Sequence, residues 1–237
     1  MAHFGSNVSG NSAKKMSESD GLGYIRLPKN LGFFNPPMDA KVTLDILPYI
    51  VTDEQHIDRD KDTGSAMVGE QWYKRPYFAH RGIGPFNETV VCPSTFGMKC
   101  PICEYRKELL SRAKTDEKAA EEAKALKPTL RNLYLVLPIG LKDHEERPYL
   151  WDISQYIFQK QLDPEILEDE SRAIFPDLEQ GLSLRIRIEK ANFQGRDYAD
   201  IGRIDFIERD QQYDPEYIND LPNLDEMLIV LPYKELQ

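Results

Sequence analysis

The chain has 237 residues, of which 41% are hydrophobic and 30% charged, a balance typical of a globular protein rather than a fibrous or disordered one. No stretch approaches the roughly 18 to 20 apolar residues of a membrane span, and the first residues lack the apolar core of a secretory signal. The composition therefore argues against a membrane protein. It predicts an intracellular chain, long enough for one domain with insertions.

The net charge of -10 is unevenly distributed along the chain. Between residues 72 and 142, Lys and Arg outnumber Asp and Glu by 13 to 7, whereas from 143 to 237 the acidic residues lead by 23 to 10. Because salt screens charges beyond about 8 to 10 Å, an acidic total does not exclude a local site for a polyanion. The charge pattern predicts such a site in the middle of the chain.

Three regions follow one another in the sequence. Residues 1–20 are rich in Ser, Gly, Asn and Lys and predict a flexible arm, residues 21–210 form the core, and residues 211–237 mix acidic and apolar side chains. The last region predicts short helical or irregular pieces. Within the core, a β-rich segment begins at Lys41, and the Ala-, Glu- and Lys-rich stretch that ends at Pro128 predicts a helix or a helix pair.

The second half of the core predicts further strands. "TLRNLYLVLPIG" and "PYLWDIS" are typical of two strands around a polar turn, with Trp151 in the core, and a short helix is predicted to begin at Ser154. "LSLRIRIEK" alternates apolar residues with polar ones, so one face is buried and the other exposed. With "YADIGRIDFIE" as the returning strand, it predicts a β-hairpin.

All three cysteines, Cys92, Cys100 and Cys103, lie within twelve positions of one another. Three cysteines cannot all pair in one chain, and reducing compartments keep thiols free, so metal binding or redox chemistry remains. A CxxC pair can hold a zinc ion from one tight turn, and Cys92 can reach the same ion because Gly97 permits a reversal of the loop. Redox CxxC motifs usually open a helix in a thioredoxin-like setting, which is not visible here.

A tetrahedral zinc ion needs a fourth ligand. Of the four histidines, His80 stands directly before the cysteines and is the predicted ligand, with His56 in reserve. His80, Cys92, Cys100 and Cys103 would then fill every position of one structural zinc ion and leave none for an activated water. Because no phosphate loop, nucleophile elbow or HExxH helix occurs either, the chain is predicted not to be an enzyme.

About five β segments with helical insertions predict a mainly β fold. The favoured architecture is an OB-fold, a five-stranded open Greek-key barrel of the oligonucleotide-binding type, with an inserted zinc-binding subdomain at about residues 80–127. The pattern alone also permits an α+β sandwich.

Sequence-tolerant binding of single-stranded nucleic acid needs cations along the phosphates and aromatic faces on which bases stack. Aromatic and basic side chains interleave before the cysteines, directly after them, and along the predicted hairpin. The candidate DNA contacts are Trp72, Tyr73, Lys74, Arg75, Tyr77, Phe78, Arg81, Tyr105, Arg106, Lys107, Arg185, Arg187, Phe193, Arg196 and Tyr198. Alternation does not decide which face of "WYKRPYF" is exposed to solvent, because Pro76 interrupts the pattern. The charged residues between Lys114 and Lys127 are interpreted as the solvated surface of a helix.

A histidine, a cysteine and a CxxC pair at this compact spacing, followed by a basic helical segment and then by strands, resemble the zinc-containing single-stranded DNA-binding proteins of T-even-like bacteriophages. The resemblance covers roughly residues 40–210. It implies an OB barrel with an inserted zinc subdomain, the four named ligands, and a protein that coats single-stranded DNA during replication, recombination and repair. It also implies phage replication and recombination proteins as partners, self-association along the strand, and the cytoplasm of the host bacterium as location.

Two other hypotheses remain open. The chain could be a zinc-knuckle module for protein–protein interaction in a replication or transcription complex, with the acidic C-terminal third as its contact surface. It could also be an enzyme that uses CxxC for thiol exchange, which predicts no stoichiometric metal.

Overall fold

The computed structural model describes residues 23–193 and 195–237. The predicted arm, residues 1–20, lies outside the described residues. The strands are β1 (Gly32–Phe33), β2 (Ala40–Leu47), β3 (Tyr49–Ile50), β4 (Gln71–Trp72), β5 (Arg75–Ile83), β6 (Glu88–Val91), β7 (Thr129–Ile139), β8 (Tyr149–Ser154), β9 (Leu182–Phe193) and β10 (Arg196–Glu208). The α-helices are α1 (Pro101–Arg112), α2 (Glu117–Ala125) and α3 (Gln159–Glu168).

The main sheet is built around the long strand β7. The strand order is β1-β8-β7-β2-β9-β10, and β5 pairs with β7 and with β6. Along one edge of β7, Thr129–Leu133 pair with β5 and Leu135–Ile139 pair with β2. Every pairing is antiparallel except that of β1 with β8. The predicted mainly β fold with helical insertions is confirmed, and the sheet of the described residues is not a closed barrel.

Both faces of the sheet are covered. On β7, Tyr134 and Val136 belong to one apolar cluster, while Leu133 and Leu135 belong to another on the opposite face. A strand with two buried faces reads as a continuous apolar run, which explains "LYLVL". Trp151 is 2% exposed and lies in the first cluster, as predicted.

The predicted hairpin of β9 and β10 is confirmed, with Arg196 opposite Phe193 at its end. Ile186 and Ile188 of β9 are buried, whereas Arg185 and Arg187 are exposed, in agreement with the period of two. A register shift between Ile201 and Arg203 marks a bulge in β10.

The predicted helix pair is also confirmed. Helices α1 and α2 leave the sheet after β6 and return at β7, and Asp116 caps α2 by accepting a hydrogen bond from the Ala119 N–H at 3.1 Å. The prediction that a helix begins at Ser154 is wrong. Ser154 is still paired with Arg131 in the ladder of β7 and β8, so helix α3 begins at Gln159.

The C-terminal residues pack onto the sheet as three short 3-10 helices, Pro215–Asp220, Leu224–Glu226 and Tyr233–Glu235. Leu224 and Met227 are buried in the second apolar cluster, and Leu228 bridges back to Ile25. This agrees with the predicted short helical pieces. No helix in the described part of the chain combines the length and the apolarity needed to cross a bilayer.

Candidate metal centre and adjoining groove

Three elements bring the predicted ligands together. His80 lies on β5, Cys92 directly follows β6, and Cys100 and Cys103 lie at the start of α1. Gly97 ends the 3-10 turn after Cys92 with φ 67°, a left-handed conformation that glycine adopts without steric cost, as the predicted reversal requires. The ligand atoms of all four residues lie within 4.8 Å of one another.

The spacing of these atoms fits a tetrahedral ion. His80 Nε2 lies 3.4 Å from the sulfur atoms of both Cys100 and Cys103, and the sulfur atoms of Cys92 and Cys103 are 3.6 Å apart. With bonds of about 2.3 Å to sulfur and 2.0 Å to nitrogen, the edges of a zinc tetrahedron are roughly 3.5 to 3.8 Å. The four residues are therefore close enough to hold a metal ion with bonds of these lengths, in agreement with the predicted ligand set.

A hydrogen bond on the side of the ring away from the cysteines fixes the orientation of His80. Its Nδ1–H donates to the carbonyl oxygen of Leu126 at 2.9 Å, so Nε2 carries the lone pair and faces the sulfur atoms. Leu126 is the C-terminal cap of α2. The metal centre and the end of the helix pair are thus directly connected.

The thiols are also held by hydrogen bonds. Ser94 Oγ lies 2.9 Å from Cys92 Sγ, and the backbone N–H of Cys103 donates to Cys100 Sγ at 3.4 Å. Hydrogen bonding lowers the pKa of Cys92 to about 3, and the largest contribution comes from Cys100, followed by His80 and Ser94. The hydrogen bond between Cys92 and Cys100 raises the pKa of Cys100. Because the pKa of Cys100 is raised, all three sulfur atoms would be thiolates together only with a cation between them, which a divalent metal would supply.

The reserve ligand, His56, lies elsewhere in the fold. Its Nδ1 accepts a hydrogen bond from the Asp58 N–H at 3.1 Å, so its Nε2–H faces the Tyr49 hydroxyl at 3.0 Å and the Lys74 carbonyl at 3.2 Å. It is 4% exposed and does not belong to the metal cluster. Burial lowers its pKa, with the charge of Arg75 acting in the same direction.

A groove of about 930 Å³ adjoins the metal centre. One wall comes from the end of α2 and the other from the turn after β8 and the start of α3. We call it the basic groove, and its charged and aromatic lining consists of Phe78, Arg81, Lys124, Lys127, Tyr156, Lys160 and one carboxylate, Asp163. Tyr156 is 65% exposed, and Lys160 Nζ lies 4.2 Å from the centre of its ring.

Of the predicted DNA contacts, Phe78 and Arg81 line the basic groove. Two others are corrected by the structure. Arg75 is completely buried and pairs with Asp53 and Asp225, and Tyr77 is completely buried with its hydroxyl donating to Asp152 at 2.8 Å. Both polar groups are used inside the protein, so neither faces solvent.

The residues just before Arg75, which are Trp72, Tyr73 and Lys74, do not line the basic groove either. Lys74 is 7% exposed and pairs with Asp58 at 2.8 Å, so the structure places it inside the protein and not in the basic groove. Trp72 and Tyr73 are half-buried and line a second cavity near α3. Trp72 Nε1–H donates to Asp58 at 2.9 Å.

The residues after the cysteines join the two helices. The Tyr105 hydroxyl donates to Glu122 at 3.0 Å, and Arg106 Nε–H donates to the carbonyl of Ala123 at 2.9 Å. Lys107 is exposed but does not line the basic groove. These hydrogen bonds turn Tyr105 and Arg106 toward α2, and neither residue lines the basic groove.

Three of the predicted contacts on the hairpin, Arg185, Arg187 and Tyr198, do not line the basic groove. Arg185 and Arg187 are exposed on β9, and Tyr198 is half-buried on β10. The side chains of Phe193 and Arg196 lie outside the described part of the structure.

Sequence reasoning missed four residues of the groove. Lys124 and Lys127 are part of the stretch interpreted as a solvated helix surface, and Tyr156 and Lys160 belong to the segment predicted as a helix. The available signal was the excess of positive charge between residues 72 and 142. This range includes Lys124 and Lys127 but ends before Tyr156 and Lys160 of the other wall.

Comparison of the chain with protein-family models and with curated proteins gave no match.

Proposed function

We propose that this protein binds single-stranded DNA without base specificity and that the strand lies in the basic groove. The observation that carries the proposal is the meeting of four cations and two aromatic rings in one open groove beside the metal centre. Cations neutralise the phosphates, and each base stacked on a ring such as Tyr156 contributes about 1 to 3 kcal/mol.

The cations of the groove are available for phosphates. Arg81, Lys124, Lys127 and Lys160 are exposed, and none forms an ion pair within residues 23–193 and 195–237. By contrast, the buried Arg75 and Arg131 are both paired with carboxylates. The four cations of the groove are therefore left without a carboxylate partner in the described part of the chain, while Asp163, the one carboxylate of the lining, accepts a hydrogen bond from Gln159.

We assign one structural zinc ion to the four ligands, because three thiolates and an imidazole suit zinc and leave no open position. When bound, the ion would cross-link β5, the turn after β6 and α1. His80 would pass this rigidity to the groove, because its hydrogen bond to Leu126 holds the segment between Lys124 and Lys127. The metal centre then acts as a support for one wall of the groove and not as a catalytic site.

The finer fold and the cellular role are parts of the same proposal. The pairing of β5 and β2 along successive halves of one edge of β7 supports an open barrel of the OB type. The ligand spacing that resembles the phage proteins supports a non-enzymatic role in coating DNA during phage replication, recombination and repair, in the cytoplasm of a bacterial host. Replication proteins and further copies along the strand are the proposed partners.

The test is a titration of fluorescently labelled oligo-dT with the zinc-loaded protein at two salt concentrations, beside a duplex of equal length. We expect preference for the single strand and an affinity that falls steeply with salt. Lys127→Glu and Lys160→Glu should each weaken binding about tenfold and reduce the salt slope by at least ~0.7, while Lys142→Glu, in the turn after β7, should have no effect.

Equal or tighter binding to the duplex would contradict the proposal. So would equal losses in the groove variants and in Lys142→Glu, because binding would then follow net charge and not the groove.

A further inference from the structure

A second cavity, of about 640 Å³, lies on the other side of α3 from the basic groove. It shares Asp163 and Leu167 with that groove, so these two side chains border both cavities. We call it the acidic cavity. Its walls are mainly apolar and include Trp72, Tyr73, Ile166, Leu167, Ile174 and Phe175.

The walls of the acidic cavity are held in place before any ligand arrives. Tyr73 packs edge-on against Phe175 with the ring centres 5.0 Å apart, and its hydroxyl accepts a hydrogen bond from Gln159 at 2.8 Å. At the mouth, Leu167 is 79% exposed and Ile174 is 38% exposed. A preformed apolar cavity with exposed apolar residues at its rim is typical of a binding site.

The lining of the acidic cavity contains two carboxylates, Asp163 and Asp177, and no basic side chain, whereas four cations line the basic groove beside Asp163. Between residues 163 and 179 there are seven acidic side chains, Asp163, Glu165, Glu168, Asp169, Glu170, Asp177 and Glu179. The one basic residue of this stretch, Arg172, is already paired with Glu165 at 2.8 Å. Asp163 and Asp177 belong to the lining itself. Carboxylates in a lining without basic side chains repel phosphates and attract cations, so the cavity is unsuited to the path of a DNA strand.

We propose that the acidic cavity docks a basic segment of a partner protein, which inserts one or two large apolar side chains between Trp72 and Ile174. Apolar anchors in a preformed pocket supply most of the affinity of such contacts, and charges at the rim select the partner. The inference goes beyond DNA binding. Because Asp163 and Leu167 border both cavities, a docked partner would lie close to the bound strand.

The experiment uses a labelled 12-residue peptide of lysine and leucine and a second peptide with glutamate in place of every lysine. Fluorescence anisotropy with the full chain should show at least tenfold tighter binding of the lysine peptide. Ile174→Ser and Ala173→Lys, both on the rim of the acidic cavity, should each weaken it at least tenfold. The matched control, Leu110→Ser, changes an exposed leucine of α1 and should leave it unchanged.

Oligo-dT binding separates this inference from the proposed function. Neither Ile174 nor Ala173 lines the basic groove, so both variants should bind oligo-dT as the unchanged protein does. Loss of DNA binding in these variants would overturn the docking proposal, because the cavity would then belong to the DNA path. It is also overturned if neither peptide binds, if both bind equally, or if Leu110→Ser weakens peptide binding as much as Ile174→Ser does.

Discussion

At the scale of single residues, the metal centre depends on side chains beyond the four ligands. Ser94 lies 2.9 Å from the sulfur atom of Cys92, and the Leu126 carbonyl fixes the ring of His80. Hydrogen bonds of this kind orient the ligands and tune their basicity. The ligands decide whether a metal is held, and their neighbours decide how tightly.

Two substitutions distinguish these roles. Cys103→Ser should reduce the zinc content from one ion per chain to near zero, because serine is a poor ligand for zinc. Ser94→Ala should retain one ion but bind it about 10- to 100-fold more weakly. Elemental analysis and competition with a chromogenic chelator measure both effects. An unchanged zinc content in Cys103→Ser would contradict the ligand assignment.

His56 should make the stability of the protein depend on pH. Burial lowers its pKa below the ordinary value of 6.5, so below about pH 6.5 the unfolded chain binds a proton that the folded protein does not. The free energy of unfolding should therefore fall as the pH drops from 7 toward 5. His56→Gln cannot take up this proton, so its urea-unfolding curves should show a weaker dependence on pH. Equal slopes for the two proteins would exclude His56 as a source of the effect.

At the scale of elements, the helix pair has a small core of its own. Leu109 is 2% exposed and packs against Ala119 and Ala123, apart from the two main clusters of the sheet. Its neighbour, Leu110, is 46% exposed. The pair therefore holds together through contacts that the sheet does not share.

Leu109→Ala should destabilise the helix pair by about 2 to 5 kcal/mol, because it leaves a cavity that so small a core cannot fill. Leu110→Ala should change the stability by no more than about 0.5 kcal/mol. Amide hydrogen exchange should show the loss in residues 101–125, while β7 and β9 keep their protection. Equal exchange in the two variants would show that the pair has no separate core.

The elements that the sequence predicts well are those with local signals. The β9–β10 hairpin follows from alternation, and the metal ligands follow from a spacing of a few residues. Arg75 and Tyr77 do not face solvent as a DNA contact would require. The sheet is covered on both faces, so the alternation of residues cannot indicate which face is exposed to solvent. The basic groove could not be predicted, since its walls are brought together only by the pairing of β5, β7 and β8.

At the scale of the whole molecule, the metal centre lies outside the two main apolar clusters. Cys92 and Cys100 form a third cluster with Val90 and Ile102. The two main clusters of the sheet contain none of the four ligands, whereas the groove wall that carries Lys124 and Lys127 is linked to His80 through Leu126. On the proposed function, a bound ion would therefore support this wall more than the core of the sheet.

Removal of the metal with a chelator should therefore leave the β signal of circular dichroism largely intact and weaken oligo-dT binding at least tenfold. The reason is that the loosened wall no longer presents its cations to the phosphates. Adding zinc back should restore the affinity. Full affinity in the metal-free protein would separate the metal centre from DNA binding, and loss of the β signal would show that the sheet depends on the ion.

The pairing of β5 with β7 joins two segments that are far apart in the sequence. Thr129 and Ala79 are 50 positions apart in the sequence, yet they pair in the sheet, and the Thr129 hydroxyl donates to the Ala79 carbonyl at 3.3 Å. Closing so long a loop costs entropy, and ligation among residues 80–103 together with the helix pair shortens the flexible part, recovering roughly 1 to 2 kcal/mol. The ion would thus speed the pairing of β5 with β7, even though the folded sheet would keep its core when the ion is removed.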